Sequence, residues 1–373
     1  MLYTNGLLFT PDRGFVPGGF TVENGRFAEF FFDDRTGGLD LGGAKVLPGL
    51  VDAHTHGAAG ADFSDGDLAG LTRMAAYLAQ NGVTSFAPTS MTLPYETLAA
   101  AFATAVSLRE ERPAGCARVA GIHMEGPFFS EKKKGAQNGA YLRLPDFEAF
   151  QALQEGCGGL VRIVDVAPEL PGAVDFAAKA KALCTVSVAH TDADYTQTRA
   201  VYEAGASHLT HLYNAMPSIH HRKPGVIGAA SEREDVVAEL ICDGLHVHPS
   251  SVRMAFKLFP GRICLISDSL RCCGMPDGEY ELGGQQVFLS GGVARLADGT
   301  IAGASSNLFR DLRNAVSFGI PEETAILAAT LTPARELGRE AEIGVLAPGR
   351  YADFLLCGED LSLRAVYMGG EKL

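Results

Sequence analysis

Short apolar, β-branched runs alternate with helical stretches through the middle of this chain, and that alternation confines it to very few folds. The runs cover residues 46–53, 84–88, 118–124, 161–167, 185–189, 208–213, 236–241 and 263–267. Helical periodicity fills the intervals at 68–80, 95–111, 147–154, 174–183, 195–204 and 250–258. Strands alternating with helices build βαβ units on a parallel sheet. Eight such units over about 280 residues predict an α/β fold of the (β/α)8, TIM-like barrel type. An open doubly wound sheet is the alternative, but no Gly-x-Gly-x-x-Gly turn follows a run to cradle a nucleotide. Residues 278–303 read as a β-hairpin inserted after the eighth strand, and helices over 307–318 and 322–330 close the barrel.

The two ends of the chain differ from this pattern. Short extended segments and turns fill the first ~45 residues, with Asn24-Gly25 as a tight hairpin signal. The last ~30 residues look alike and, with the first, predict one small β-sandwich domain. The expected division is therefore 1–46 plus 344–373 for the small domain and 47–343 for the barrel.

Composition narrows the partners. The apolar fraction of 47% and charged fraction of 20% describe an ordinary packed protein. A net charge of −13 argues against nucleic acid or an anionic membrane as the main partner. It leaves room for an anionic small substrate held by a few local cations. No apolar run approaches the ~20 residues that span a bilayer. Met1-Leu2-Tyr3-Thr4-Asn5-Gly6 lacks the basic start of a signal peptide, and the 8 cysteines form no Cys-x-x-Cys pair. A reducing cytoplasm is the expected location.

Catalytic groups of such barrels sit at the carboxyl ends of the strands. The first run ends in His54-Thr55-His56, whose alternation on an extended strand puts both imidazoles on one face. The third ends in His123-Met124-Glu125, the fifth in Ala189-His190, and the sixth carries His208-Leu209-Thr210-His211. Asp243-Gly244-Leu245-His246 follows the seventh, and Ser267-Asp268 ends the eighth. One such residue would be an ordinary capping or hydrogen-bonded group; convergence from six strands predicts a divalent-metal site. His208, three residues before His211, is expected on the opposite strand face, toward the helices. His123 is expected to support the site from beside it. His/carboxylate donors accept zinc, iron, manganese or cobalt, so the ion is not specified.

These residues resemble the amidohydrolase superfamily, and more narrowly its branch that deacetylates N-acetylhexosamine 6-phosphates. The resemblance spans nearly the whole chain. It rests on Pro48-Gly49-Leu50-Val51-Asp52-Ala53-His54-Thr55-His56-Gly57, His123-Met124-Glu125-Gly126-Pro127-Phe128, Lys134-Gly135-Ala136-Gln137 and Thr210-His211-Leu212-Tyr213-Asn214-Ala215-Met216. Arg222-Lys223-Pro224-Gly225, Asp243-Gly244-Leu245-His246 and Ala347-Pro348-Gly349-Arg350-Tyr351-Ala352-Asp353 complete it. The Glu-Gly-Pro and His-Leu-Tyr-Asn-Ala-Met blocks belong to the deacetylase branch; the first and last blocks mark the superfamily.

The resemblance implies Glu125, His190 and His211 as the core metal ligands. Many superfamily members use a carbamylated lysine after the fourth strand; residues 161–169 contain no lysine, so Glu125 takes the bridging position. A second ion on His54, His56, Glu125 and Asp268 is then expected, giving one or two ions per subunit. Asp268 would take the proton of the attacking water and pass it to the departing amine. His246 would stabilise the oxyanion. Arg222, in the basic loop His220-His221-Arg222-Lys223, is assigned to the phosphate of a neighbouring subunit's substrate in a homodimer, with Asn214 and the backbone of Ala215 helping. Lys132-Lys133-Lys134 reads as a solvated charge run. Some members place a histidine where Gln137 stands; glutamine still donates to a sugar hydroxyl but carries no charge.

The implied reaction is hydrolysis of N-acetyl-D-glucosamine 6-phosphate to D-glucosamine 6-phosphate and acetate. The galactosamine epimer or another N-acyl substrate is the near alternative. A non-catalytic assembly protein on the same scaffold is a remote one, since such a chain should have lost ligands or the aspartate.

Overall fold

The computed structural model describes residues 1–33 and 35–373. Eight barrel strands follow one another in parallel order. The first is Leu50–Thr55, the second Val83–Ser90, and the third comes in two pieces, Arg118–Val119 and Ile122–Met124. Val161–Val166, Thr185–Val188, His208–Leu209, Val237–Ile241 and Ile263–Ile266 complete the series. The barrel is nearly closed. Where the eighth strand meets the first, the Asp268 amide donates to His54 O at 2.9 Å, and the Ser267 hydroxyl donates to Asp52 Oδ2 at 2.6 Å.

The outer faces of these strands pack against a helical ring whose starts are written locally. Asp67, Asp146 and Asn307 accept backbone N–H bonds at the starts of Leu68–Gln80, Phe147–Gly156 and Leu308–Ser317. Asp194 and Gln197 form a reciprocal capping box at the start of Tyr195–Ala204. Inside, Val51, Ala53, Ala87, Ile163, Ile241 and Ile266 pack with Ala334 and Leu337. The last two come with a short helix, Leu331–Glu336, that plugs the amino-terminal end of the barrel. That helix and Gly225–Ser231, which follows the sixth strand, were not anticipated; both are too short to carry a periodic signal.

The terminal segments share one eight-stranded sheet. Leu2–Thr10 lies between Gly14–Glu23 and Lys45–Pro48, and the latter pairs antiparallel with Phe354–Cys357. The two-layer core expected of a small sandwich is made by this single sheet rolled on itself. Tyr3, Phe20, Phe27 and Phe354 stack within it at centroid distances of 5.0 to 6.1 Å, and the Phe27 amide donates to Arg350 O at 2.9 Å across the roll.

The run at 46–53 is therefore two strands. Lys45–Pro48 belongs to the terminal sheet and Leu50–Thr55 to the barrel, so that sheet extends past residue 46. Gly49 makes the crossing: a Cβ there would lie 2.0 Å from Thr84 Oγ1. The insertion expected as a hairpin has three strands, Gly278–Leu282, Gln285–Ser290 and Val293–Leu296. Its apolar side packs Leu282, Val287 and Leu289 on Met91 and Leu270, at the rim of the barrel's carboxyl end. Among the described residues, no helix is long and apolar enough to cross a membrane.

Candidate metal centre and active site

A cavity of about 230 Å³ opens at the carboxyl end of the barrel. His56, Glu125, Gln137, His190, His211, Asn214, Ala215, His246 and Asp268 line it, with Leu282, Thr300 and Ile301 of the inserted sheet forming a wall. His54 lies fully buried beneath. Among the site residues expected from the sequence, Arg222 lies away from it. Arg222 is on an exposed loop with its guanidinium 2.7 Å from His221 Nε2.

The donors form two clusters joined by one carboxylate. Glu125 Oε1 lies 3.1 Å from the Nε2 atoms of both His190 and His211. Its Oε2 is 3.3 Å from His56 Nε2. Asp268 Oδ1 is 3.3 Å from His56 Nε2 and 3.5 Å from His54 Nε2. Glu125 thus faces both clusters, as its bridging assignment requires. Gly126 follows it in the left-handed region, where a Cβ would meet Thr92 Oγ1 at 2.2 Å. His190, His211 and Asp268 have φ of 41°, 29° and 48°, sparsely populated for non-glycine residues. Such strain persists where surrounding structure over-determines it, typically at functional sites.

The far sides of the rings decide whether these clusters fit a cation. His56 Nδ1 is 3.1 Å from Thr89 O and His190 Nδ1 is 2.9 Å from Lys133 O. Carbonyls accept only, so each Nδ1 carries a proton, and in the neutral ring the lone pair falls on Nε2. His54 Nδ1 faces Glu239 Oε2 at 2.9 Å with the same result. The Nε2 lone pairs then meet one another, at 3.3 Å for His54 and His56. His190 and His211 bring their Nε2 atoms to 3.0 Å of each other, beside Glu125 Oε1, although among the described residues no partner at Nδ1 fixes the tautomer of His211. Electron pairs converging in a buried space call for a positive centre between them, and the donor set fits a divalent metal ion.

The electrostatics agree with this division of roles. Burial pushes the Glu125 carboxyl up, but the imidazoles of His190, His211 and His56 packed around it outweigh that and hold it well below the usual carboxylate range. Burial likewise raises Asp268, and the neighbouring His54 and His56 bring it below the ordinary value. For His246, burial lowers the pKa while the hydrogen bond to Asp243, at 2.7 Å from Nδ1, raises it above the ordinary value overall.

One expectation needs correction and another is narrowed. His208 does not point toward the helices. Fully buried, it faces into the barrel, with Nε2 at 3.2 Å from Glu239 Oε1 and Nδ1 at 2.7 Å from Glu336 Oε2. The sixth strand ends at Leu209 and the chain turns through the left-handed His211, so spacing from His211 says nothing about facing. Gln137 is not free to reach a sugar hydroxyl with its whole amide. Its Nε2 donates to Glu125 Oε2 at 2.6 Å and its Oε1 accepts from the Thr92 amide at 2.7 Å.

Three contributors were missed. Glu239 sits inside an otherwise apolar strand and Asp165 inside one whose other charge is Arg162, and a carboxylate in such a run was the available signal. His123 Nε2 lies 3.0 Å from Asp165 Oδ1 beneath the two donor clusters. Nothing in the sequence pointed to Lys133, which holds His190 through its backbone carbonyl rather than its charge.

A (β/α)8 barrel with imidazole and carboxylate donors converging at its carboxyl end, an ionised aspartate and a histidine facing the same cavity defines the metal-dependent hydrolase class. The amidohydrolase family model matches residues 45–373. The chain belongs to that family, in the branch of the N-acetylglucosamine-6-phosphate deacetylases. It is 36% identical to the N-acetylglucosamine-6-phosphate deacetylase of Vibrio furnissii over 334 residues, 89% of this chain and 84% of that one. It is also 36% identical to the N-acetylgalactosamine-6-phosphate deacetylase of Escherichia coli O157:H7 over 328 residues, 87% of each. A Mycobacterium smegmatis N-acetyl-D-glucosamine-6-phosphate deacetylase, an aspartate-to-alanine variant in complex with N-acetyl-D-glucosamine-6-phosphate, superimposes with a TM-score of 0.91. That comparison covers 100% of this chain and 98% of the other at 34% identity.

Proposed function

We propose that this chain hydrolyses the acetamide of N-acetyl-D-glucosamine 6-phosphate to D-glucosamine 6-phosphate and acetate. The observation that carries the reading is the pair of donor clusters sharing Glu125, with Asp268 and His246 facing the same cavity. Ions held by Glu125, His190 and His211, and by His54, His56, Glu125 and Asp268, would supply a Lewis acid that brings the pKa of water toward ~7. Asp268, kept ionised, accepts the proton of the attacking water and returns it to the amine nitrogen as the C–N bond breaks. His246 donates from Nε2 to the acetyl oxygen as negative charge grows there. Asn214 and the Ala215 backbone hold the sugar phosphate at the mouth of the cavity.

The His246 role predicts a pH dependence. Nδ1 is committed to Asp243, so Nε2 carries a proton only while the ring is cationic. The raised pKa keeps that form present to higher pH, and its contribution is lost as pH climbs through that value. Asp243→Asn should move the alkaline limb of kcat/KM to lower pH; an unmoved limb would remove His246 from this role.

Arg222 is exposed and away from its own cavity, which supports its donation to a partner's phosphate within a homodimer. A charge-assisted bond of about 1.5–3 kcal/mol makes Arg222→Ala raise KM roughly 10- to 100-fold, with a smaller change in kcat. Mixing Arg222→Ala with Asp268→Asn protein should restore activity, because one site of the heterodimer then receives both groups. No recovery on mixing would place the arginine in cis. All 8 cysteines are free, which supports a reducing, cytoplasmic setting.

The galactosamine epimer stays a second reading because a deacetylase of that sugar is as similar to this chain as one for the glucosamine form. Acetate release measured on both 6-phosphates separates them. A higher kcat/KM for the glucosamine sugar is expected, and the reverse order would overturn the choice.

A further inference from the structure

We propose that Glu239, on the seventh barrel strand, is the positioning residue that orients His54 toward a metal ion and ties it to the backbone of His211 in the other cluster. Its side chain is fully buried below the ligands and touches neither cavity nor substrate space. Oε2 accepts from His54 Nδ1 at 2.9 Å and from the His211 amide at 3.1 Å. The Glu239 carbonyl accepts from the Leu212 amide at 2.9 Å. One residue therefore holds a ring of one cluster and, from both its side chain and its main chain, the left-handed segment carrying a ligand of the other.

The support continues downward. Oε1 faces His208 Nε2 at 3.2 Å, and His208 Nδ1 faces Glu336 Oε2 at 2.7 Å on the plugging helix. With a carboxylate at each nitrogen, His208 donates from both and is an imidazolium. Its charge helps to offset the burial of Glu239, which His54 also faces at 2.9 Å and His123 at 3.6 Å. The chain Glu336, His208, Glu239, His54 runs from the foot of the barrel to the metal site. A carboxylate behind a ligating imidazole fixes its tautomer and orientation, and losing one typically costs 10- to 100-fold in metal affinity.

The inference rests on the two-ion reading above, and the test separates them. Zinc is titrated into metal-free wild-type and Glu239→Gln protein against a competing chelator, with the melting temperature of both metal-free forms recorded. Wild type should take two equivalents; fewer would overturn the two-ion reading itself. In Glu239→Gln the equivalent that His54 holds should weaken 10- to 100-fold, and the other, supported only through the His211 backbone, should weaken less. Unchanged affinity of both would overturn the role of Glu239. Equal weakening of both, together with a lowered metal-free melting temperature, would also overturn it, because that is what lost packing alone produces. Should the variant fail to fold, zinc-loaded wild type labelled with 15N-histidine decides. His54 should show a protonated Nδ1 and an unprotonated Nε2, and the opposite tautomer would sink the proposal.

Discussion

Asp268→Asn is expected to lower kcat between about 10²- and 10⁴-fold, the range a positioned general acid–base group supplies. Asparagine keeps the size and the oxygen that faces His54 and His56 at 3.5 and 3.3 Å, but it cannot accept a proton from water. The backbone should tolerate the change, because asparagine is among the few residues at ease in the left-handed region that Asp268 occupies at φ 48°. The ion on Glu125, His190 and His211 should remain, since Asp268 is not part of that cluster. Turnover within tenfold of wild type, with metal content unchanged, would show that the proton moves through another group.

A larger and different effect is expected at Glu125. Its two oxygens bring one negative charge to His190, His211 and His56 together. Glu125→Gln preserves shape while removing that charge, and each histidine cluster then presents lone pairs to a neutral amide. Both ions should weaken, and activity should fall with them. Stability reports this independently of turnover: an ion present at 100 times its dissociation constant stabilises the folded chain by about 2.7 kcal/mol. Added zinc should therefore raise the melting temperature of wild type and leave that of Glu125→Gln nearly unmoved. An equal rise in both proteins would mean that Glu125 is not a ligand.

The two variants separate functions that the sequence presents identically, as a carboxylate at the end of a barrel strand. Glu125 lies between the clusters and Asp268 at the edge of one. Only geometry separates a carboxylate set between two histidine clusters from one set at the edge of a single cluster.

Much of the fold was legible because it is written in local periodicity. Strand runs and capped helices alternate through the middle of the chain, and the ring of His54, His56, Glu125, His190, His211, His246 and Asp268 falls at one end by the polarity of a parallel barrel. Less legible were the places where long-range contact overrides pattern. The run at 46–53 reads as one strand because nothing local marks the exchange of partners at Gly49; the collision with Thr84 that demands glycine is made by a residue 35 positions away. The short plugging helix carries too few residues for a period, yet it supplies Glu336 to His208.

The chain by itself determined the barrel, the end at which its chemistry sits, and the residue types able to hold a metal, because strand and helix periods are short-range properties. Tertiary structure alone decided where His208 points, which nitrogen each histidine presents, and that Glu239 lies behind His54. The physical reason is the reach of the backbone ladder. Alternation predicts facing only while strand hydrogen bonds hold the chain extended. Past Leu209 the ladder stops, φ turns positive at His211, and every direction thereafter is set by atoms from other strands.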